Sequence, residues 1–267
     1  MPRPDPRQLD LFNAPTVPWC PAPSGDAGHD VPVEPIDPET LDDADLLEAF
    51  QASKLAETER LAAAVALRHP VGWQDAALHV WNRFVGFGQE SELRAVLGLV
   101  REFRGRRVLE AILRRGRVPL DLSEDLLRAA AACEHPLSAD LVRAGLHSWD
   151  GAQREAAVTI AIPSGVEPLE LRPLLTDPEK VVRDLVAVVL AEMGDPEARG
   201  SLFISLKVRP SERGLDALAL FMDEDAIIQL GQLARAHPQW VGHIRGLIED
   251  SAHPKAPSII ATLPIAV

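Results

Sequence analysis

The sequence predicts an all-α protein, a solenoid of antiparallel helix pairs preceded by a disordered tail. Three observations carry this. Apolar residues recur at three- and four-residue spacing through most of the 267 residues, as in "KLAETERLAAAVALRH", "ELRAVLGLVREF", "RVLEAILRR", "VVRDLVAVVLAEM" and "AIIQLGQLARA". The periodic segments are short and separated by brief turns, as in stacked helix pairs. Strong stop signals recur between them, with His-Pro at His69-Pro70, His135-Pro136, His237-Pro238 and His253-Pro254.

From Met1 to about Asp37 the composition is proline, glycine, aspartate and valine without periodicity, too poor in apolar surface to offset ordering entropy. Residues 1–37 therefore read as a tail and 38–267 as a helical repeat domain. Structure is expected to begin at "DPETLDDADLLEAF", where Asp37 caps a helix, Pro38 takes its first position and the following acids favour its positive end. The His-Pro histidines read as terminators set beside the last helical carbonyls, because no Cys, Asp or Glu stands near them at ligand spacing. At the far end "SIIATLPIAV" is too apolar to stay in water and is expected to close the array as a packed helix with a short tail.

One segment displays the repeating unit, "LRPLLTDPEKVVRDLVAVVLAEMGDPEARGSLF". Leu171, Leu174 and Leu175 lie in a first helix, Asp177-Pro178 in the turn, Val182, Arg183 and Ala187 in a second helix, and Gly194-Asp195-Pro196 leads onward. This pattern resembles a HEAT repeat. A looser copy with Asp150, Arg154 and Ala157 in comparable roles precedes it, and another surrounds "LALFMDEDAIIQLGQLARAHP". The resemblance is clearest over about residues 136–250 and extends to 40–135 by helix length and spacing alone. It implies a stacked array whose end units differ from the rest, since each pair is apolar on two sides.

A formal net charge of −13 argues against the whole chain being held to nucleic acid or anionic lipid by charge. The two cysteines, Cys20 and Cys133, fit neither a disulfide framework nor a metal spacing and read as free thiols. With no apolar leader in "MPRPDPRQLD" and no long uncharged run, a cytoplasmic location is expected. Enzyme signatures are scarce: "GFGQES" at 86–91 lacks the third glycine and the preceding strand of a dinucleotide fingerprint. No catalytic residue, metal or cofactor is expected.

Two features remain. "REFRGRRVLEAILRRGR" concentrates Arg101, Arg104, Arg106, Arg107, Arg114, Arg115 and Arg117 against Glu102 and Glu110, with Val100, Phe103, Val108, Leu109, Ile112 and Leu113 on the other side of the same helices. This island is read first as a solvated face. Its alternative is a patch for nucleic acid or an acidic partner built from Arg101, Arg104, Arg107, Arg114 and Arg115. Trp73, Trp81 and Trp149 read as packing residues, whereas Trp19 has no core around it.

The second feature is "RQLDLFNAP", which sets Leu9, Leu11 and Phe12 in a segment where no core can form around them. Two adjacent large apolar side chains on a short peptide flanked by prolines suit docking in a preformed groove. "QLDLF" resembles the pentapeptide by which many bacterial replication and repair proteins bind the sliding clamp, the ring-shaped processivity factor of DNA polymerase. By that resemblance Gln8 enters a polar subsite, Leu9 rests on the rim, Asp10 stays wet, and Leu11 with Phe12 fills the apolar pocket. The alternative is a tail segment that folds back along the helical array. The expected function is a non-catalytic bacterial adaptor in DNA replication or repair, bound to the clamp by its tail and to a second protein by its helical surface. A DNA-binding repair protein that uses the arginine island, and an interaction scaffold unrelated to DNA, are the alternatives.

Overall fold

The computed structural model describes residues 37–264 apart from 55–56, 87–88, 117 and 222. The chain divides into two units, Met1–Ile36 and Asp37–Val267. Among the described residues the second unit is entirely helical, without a strand. Its helices are α1 (Asp43–Ala52), α2 (Thr58–Arg68), α3 (Trp73–Phe84), α4 (Glu90–Glu102), α5 (Arg106–Arg114), α6 (Ser123–Ala132), α7 (Ala139–Leu146) and α8 (Gly151–Thr159). They continue with α9 (Pro168–Leu171), α10 (Lys180–Glu192), α11 (Ala198–Val208), α12 (Glu212–Ala219), α13 (Glu224–Ala236), α14 (Val241–Asp250) and α15 (Ala256–Ile260).

The even-numbered helices form a layer, and the odd-numbered ones pack on one another only towards the two ends. Each even-numbered helix from α2 to α14 packs on the next even one, while α1 packs on α3, α3 on α5, α11 on α13 and α13 on α15. Consecutive helices such as α3 and α4, α7 and α8, or α10 and α11 join the layers. Side chains buried between them make one continuous cluster that runs from Leu46 to Leu263. Alanine and glycine allow the close approaches: a Cβ on Gly145 of α7 would stand 2.5 Å from Leu127 and 3.0 Å from Ala157.

The start of the helical unit departs from expectation. Asp37 caps only a 3-10 turn, Pro38–Thr40, after which Leu41 is extended, and α1 begins at Asp43. A second cap explains the interruption: Asp42 accepts a hydrogen bond from the Asp45 N–H at 2.9 Å, which favours a fresh helix start there. The histidines also act differently from the reading above. They stand at helix ends, but His237 Nε2 lies 3.0 Å from the Lys207 carbonyl of the neighbouring α11, and His69 stacks on Phe103. His69 and His237 reach across because the backbone of each has already left the helix, His69 being left-handed at φ 51°, whereas His135 Nδ1 lies 2.8 Å from the carbonyl of the adjacent Pro136 and His253 Nδ1 accepts the Lys255 N–H at 3.2 Å.

The segment that resembles a repeat in the sequence has an irregular first helix. Pro168 opens α9, and Pro173, which lacks an N–H, turns the chain into a 3-10 segment over Arg172–Thr176. At the C-terminal end α15 closes the array, with Ile259 against Gly231 and Leu263 buried.

Candidate functional site

The peptide Gln8, Leu9, Asp10, Leu11 and Phe12 lies outside the described residues, as do Trp19, Cys20 and Arg117. The arginine island can be placed. α4 ends at Glu102, Arg104 adopts φ 48°, and the Gly105 N–H donates to the Val100 carbonyl at 2.8 Å. This is the reverse turn that commonly ends a helix on a left-handed residue, here an arginine in place of the usual glycine. The glycine stands one residue later for a different reason: a Cβ at position 105 would lie 2.5 Å from the Trp73 ring. Phe103 packs against that ring and against His69, each at 4.6 Å between centroids, so the turn is fixed by three aromatic groups.

Val100, Val108, Leu109 and Ile112 are buried, and Arg101, Arg104, Arg106, Arg107, Arg114 and Arg115 are all exposed. Arg106 pairs with Glu110 at 3.0 Å. Arg101, Arg104, Arg107, Arg114 and Arg115 have no ion-pair partner among the described residues. Three of them line grooves. Arg101 borders two adjoining grooves floored by small residues of α2, α4, α6 and α8, including Ala62, Gly98, Ala131 and Ala152. Arg107 and Arg114 instead line a cleft of about 210 Å³ between α3 and α5, beside Asp75 and Glu110.

Elsewhere arginines are spent on internal pairs. Arg128, Arg154, Arg172 and Arg199 reach forward to Asp150, Asp177, Asp195 and Asp223, at separations of 22, 23, 23 and 24 residues. Each of these aspartates also accepts a backbone N–H of the turn or helix that follows it, from Ala152, Glu179, Glu197 and Ala226. The second and third pairs are bidentate, with Arg154 to Asp177 at 2.7 and 2.8 Å and Arg172 to Asp195 at 2.7 and 3.1 Å. These arginines hold the Asp177 and Asp195 carboxyls below the usual carboxylate range. Arg154 and Arg183 both reach back as well, to the carbonyls of Ser148 and Trp149 and of Asp177 and Pro178 respectively. Sequence reading grouped Asp150, Arg154, Asp177 and Arg183 by role but not the pairing across units; an arginine followed about one unit later by an aspartate cap was the available signal.

The tryptophans divide. Trp81 is fully buried and Trp73 half-buried, but Trp149 is 92% exposed, which corrects its reading as a packing residue. It precedes the cap Asp150 in a turn whose carbonyls are held by Arg154, and that leaves the indole pointing outward. Among the described residues no group of three or more His, Cys, Asp or Glu could hold a metal ion, and no helix is long and apolar enough to cross a membrane.

These features define an all-helical protein organised around helix-end arginine–aspartate pairs. No protein-family model, curated protein or solved structure matches the chain.

Proposed function

We propose that this chain is a non-catalytic adaptor, a HEAT-like right-handed solenoid tethered by its N-terminal peptide to the bacterial sliding clamp and offering its helical surface to a second protein. The peptide Gln8-Leu9-Asp10-Leu11-Phe12 carries the reading, since it fills all five positions of the clamp-binding pattern and precedes the helical unit in the sequence. Two adjacent apolar anchors on a short peptide give modest affinity. A tether that holds a second protein near replicating or repaired DNA gains its effect through local concentration instead. The alternation of helices between two layers and the arginine–aspartate pairs at unit spacing support the solenoid part of the reading.

A competition experiment tests it. A labelled synthetic peptide of residues 5–15 is bound to the sliding clamp of the same organism and challenged with the full chain. The chain displaces the peptide, and the Leu11→Ala/Phe12→Ala chain does not. Failure of the peptide to bind the clamp contradicts the proposal.

The second reading, direct DNA binding, rests on the five exposed arginines that lack carboxylate partners among the described residues. That Arg101 lines different grooves from Arg107 and Arg114, with a chain charge of −13, makes it the weaker one. It requires binding to duplex DNA that falls steeply with salt and is lost when Arg104, Arg107, Arg114 and Arg115 are replaced.

A further inference from the structure

The short element before α10 leaves part of α11 uncovered. α9 has four residues and the 3-10 turn after it five, whereas α11 and α13 run to 11 and 13. Between this truncated element, the first turns of α10 and the flank of α11 lies a groove of about 240 Å³. Leu175, Ile204 and Val208 line it, with Ser201 and Ser205 along the same helix. Ile204 is 67% and Val208 69% exposed, and nearby Val181 is 57% exposed. Single exposed apolar residues are ordinary, but two at i and i+4 beside a concave surface form a stripe that water covers poorly.

The charge around the stripe is also distinct. In a chain of net charge −13, residues 198–210 contain no carboxylate and three cations, Arg199, Lys207 and Arg209. Arg199 is turned to Asp223 and Asp225, but the Lys207 ammonium rests over the Phe203 ring at 5.0 Å, and Arg209 has no carboxylate partner among the described residues. Across the groove Lys180 is neutralised by Asp184, whereas Arg183 donates only to backbone carbonyls. An apolar stripe with cations at both sides calls for an apolar stripe with carboxylates.

We propose that this groove on α11 is the docking face for the second partner, and that the partner presents a short acidic amphipathic helix with two apolar anchors three or four residues apart. Ile204 and Val208 receive the anchors, while Arg183, Lys207 and Arg209 face the carboxylates and set orientation and encounter rate. The assignment gives the adaptor its second contact and in that sense rests on the adaptor reading, yet it uses no residue of the tail.

The test is selection of helical peptides from a random displayed library against the full chain, followed by anisotropy titration of those enriched. Enriched sequences should carry Asp or Glu around apolar pairs at i, i+3 or i, i+4. Ile204→Ser/Val208→Ser should weaken their binding about tenfold or more, and Lys207→Glu should weaken it measurably, with unchanged melting temperature because these side chains are exposed. Enrichment of no peptide, of peptides without acidic residues, or of peptides indifferent to these substitutions would overturn the proposal. So would a dimer of the chain dissociated by Ile204→Ser/Val208→Ser, which makes a second copy the occupant. Clamp titration of the intact chain separates the two ideas, since a chain that binds the enriched peptides but not the clamp defeats the adaptor reading alone.

Discussion

At the scale of single residues, Asp177 shows what joins α8 to the turn before α10. Its carboxylate receives the Arg154 fork and caps the turn that begins with Glu179, and both partners of the ion pair are nearly free of solvent. Removing it leaves a buried guanidinium without its anion, so Asp177→Ala should cost about 3–5 kcal/mol in urea unfolding. The same pairs set an acid limit. Asp177 and Asp195 titrate below their usual range when folded, first because Arg154 and Arg172 hydrogen-bond to them. Their stabilisation is therefore complete above the unfolded value of about 4, and is lost as pH falls below it towards the folded values. Unfolding midpoints measured from about pH 7 to about pH 3 should drop, and Asp177→Asn/Asp195→Asn should flatten that dependence. Cys133 gives a third residue-level expectation. Burial pushes its thiol up, so in a Cys20→Ser chain it should react with a thiol reagent only as fast as the protein opens.

At the scale of elements, the turn from α4 to α5 is the most tightly specified. Gly105→Ala forces a Cβ into the Trp73 ring and should destabilise by about 1–3 kcal/mol. Arg104→Gly relieves a left-handed arginine and should gain up to about 1 kcal/mol, with urea midpoints reading both changes. Sequence was most informative at this level, because a helix that buries one face must repeat its apolar residues every three or four positions. The arginines of α5 could be assigned to the wet side for that reason. What it did not show were features decided by competition or by distance. Asp42 and Asp37 are both good caps, and only the local hydrogen bonding chooses Asp42 as the start of α1. Pro173 announces a break in its helix, but not that the groove beside α11 stays open. Arg154 and Asp177 are 23 residues apart, and periodicity cannot pair a given arginine with a given carboxylate. Trp149 follows no helical face, so composition alone could not place it outside.

At the scale of the whole molecule, the chain separates attraction from bulk charge. Carboxylates outnumber cations by 40 to 27, which opposes attraction of the whole chain to polyanions, and Arg154 and Arg172 are committed to Asp177 and Asp195. In the adaptor we propose, the tail peptide and the α11 groove serve as two distinct contact points. The peptide Gln8 to Phe12 stands out in the sequence because its apolar cluster falls in a segment without periodicity, while the groove depends on what neighbouring elements fail to cover. The most direct measurement of the central claim is isothermal titration of the intact chain, and of its Leu11→Ala/Phe12→Ala variant, into the sliding clamp from the same organism. Saturable binding at micromolar affinity that the double substitution abolishes is the predicted result. An intact chain that gives no binding heat, or a variant that binds as the parent does, would contradict it.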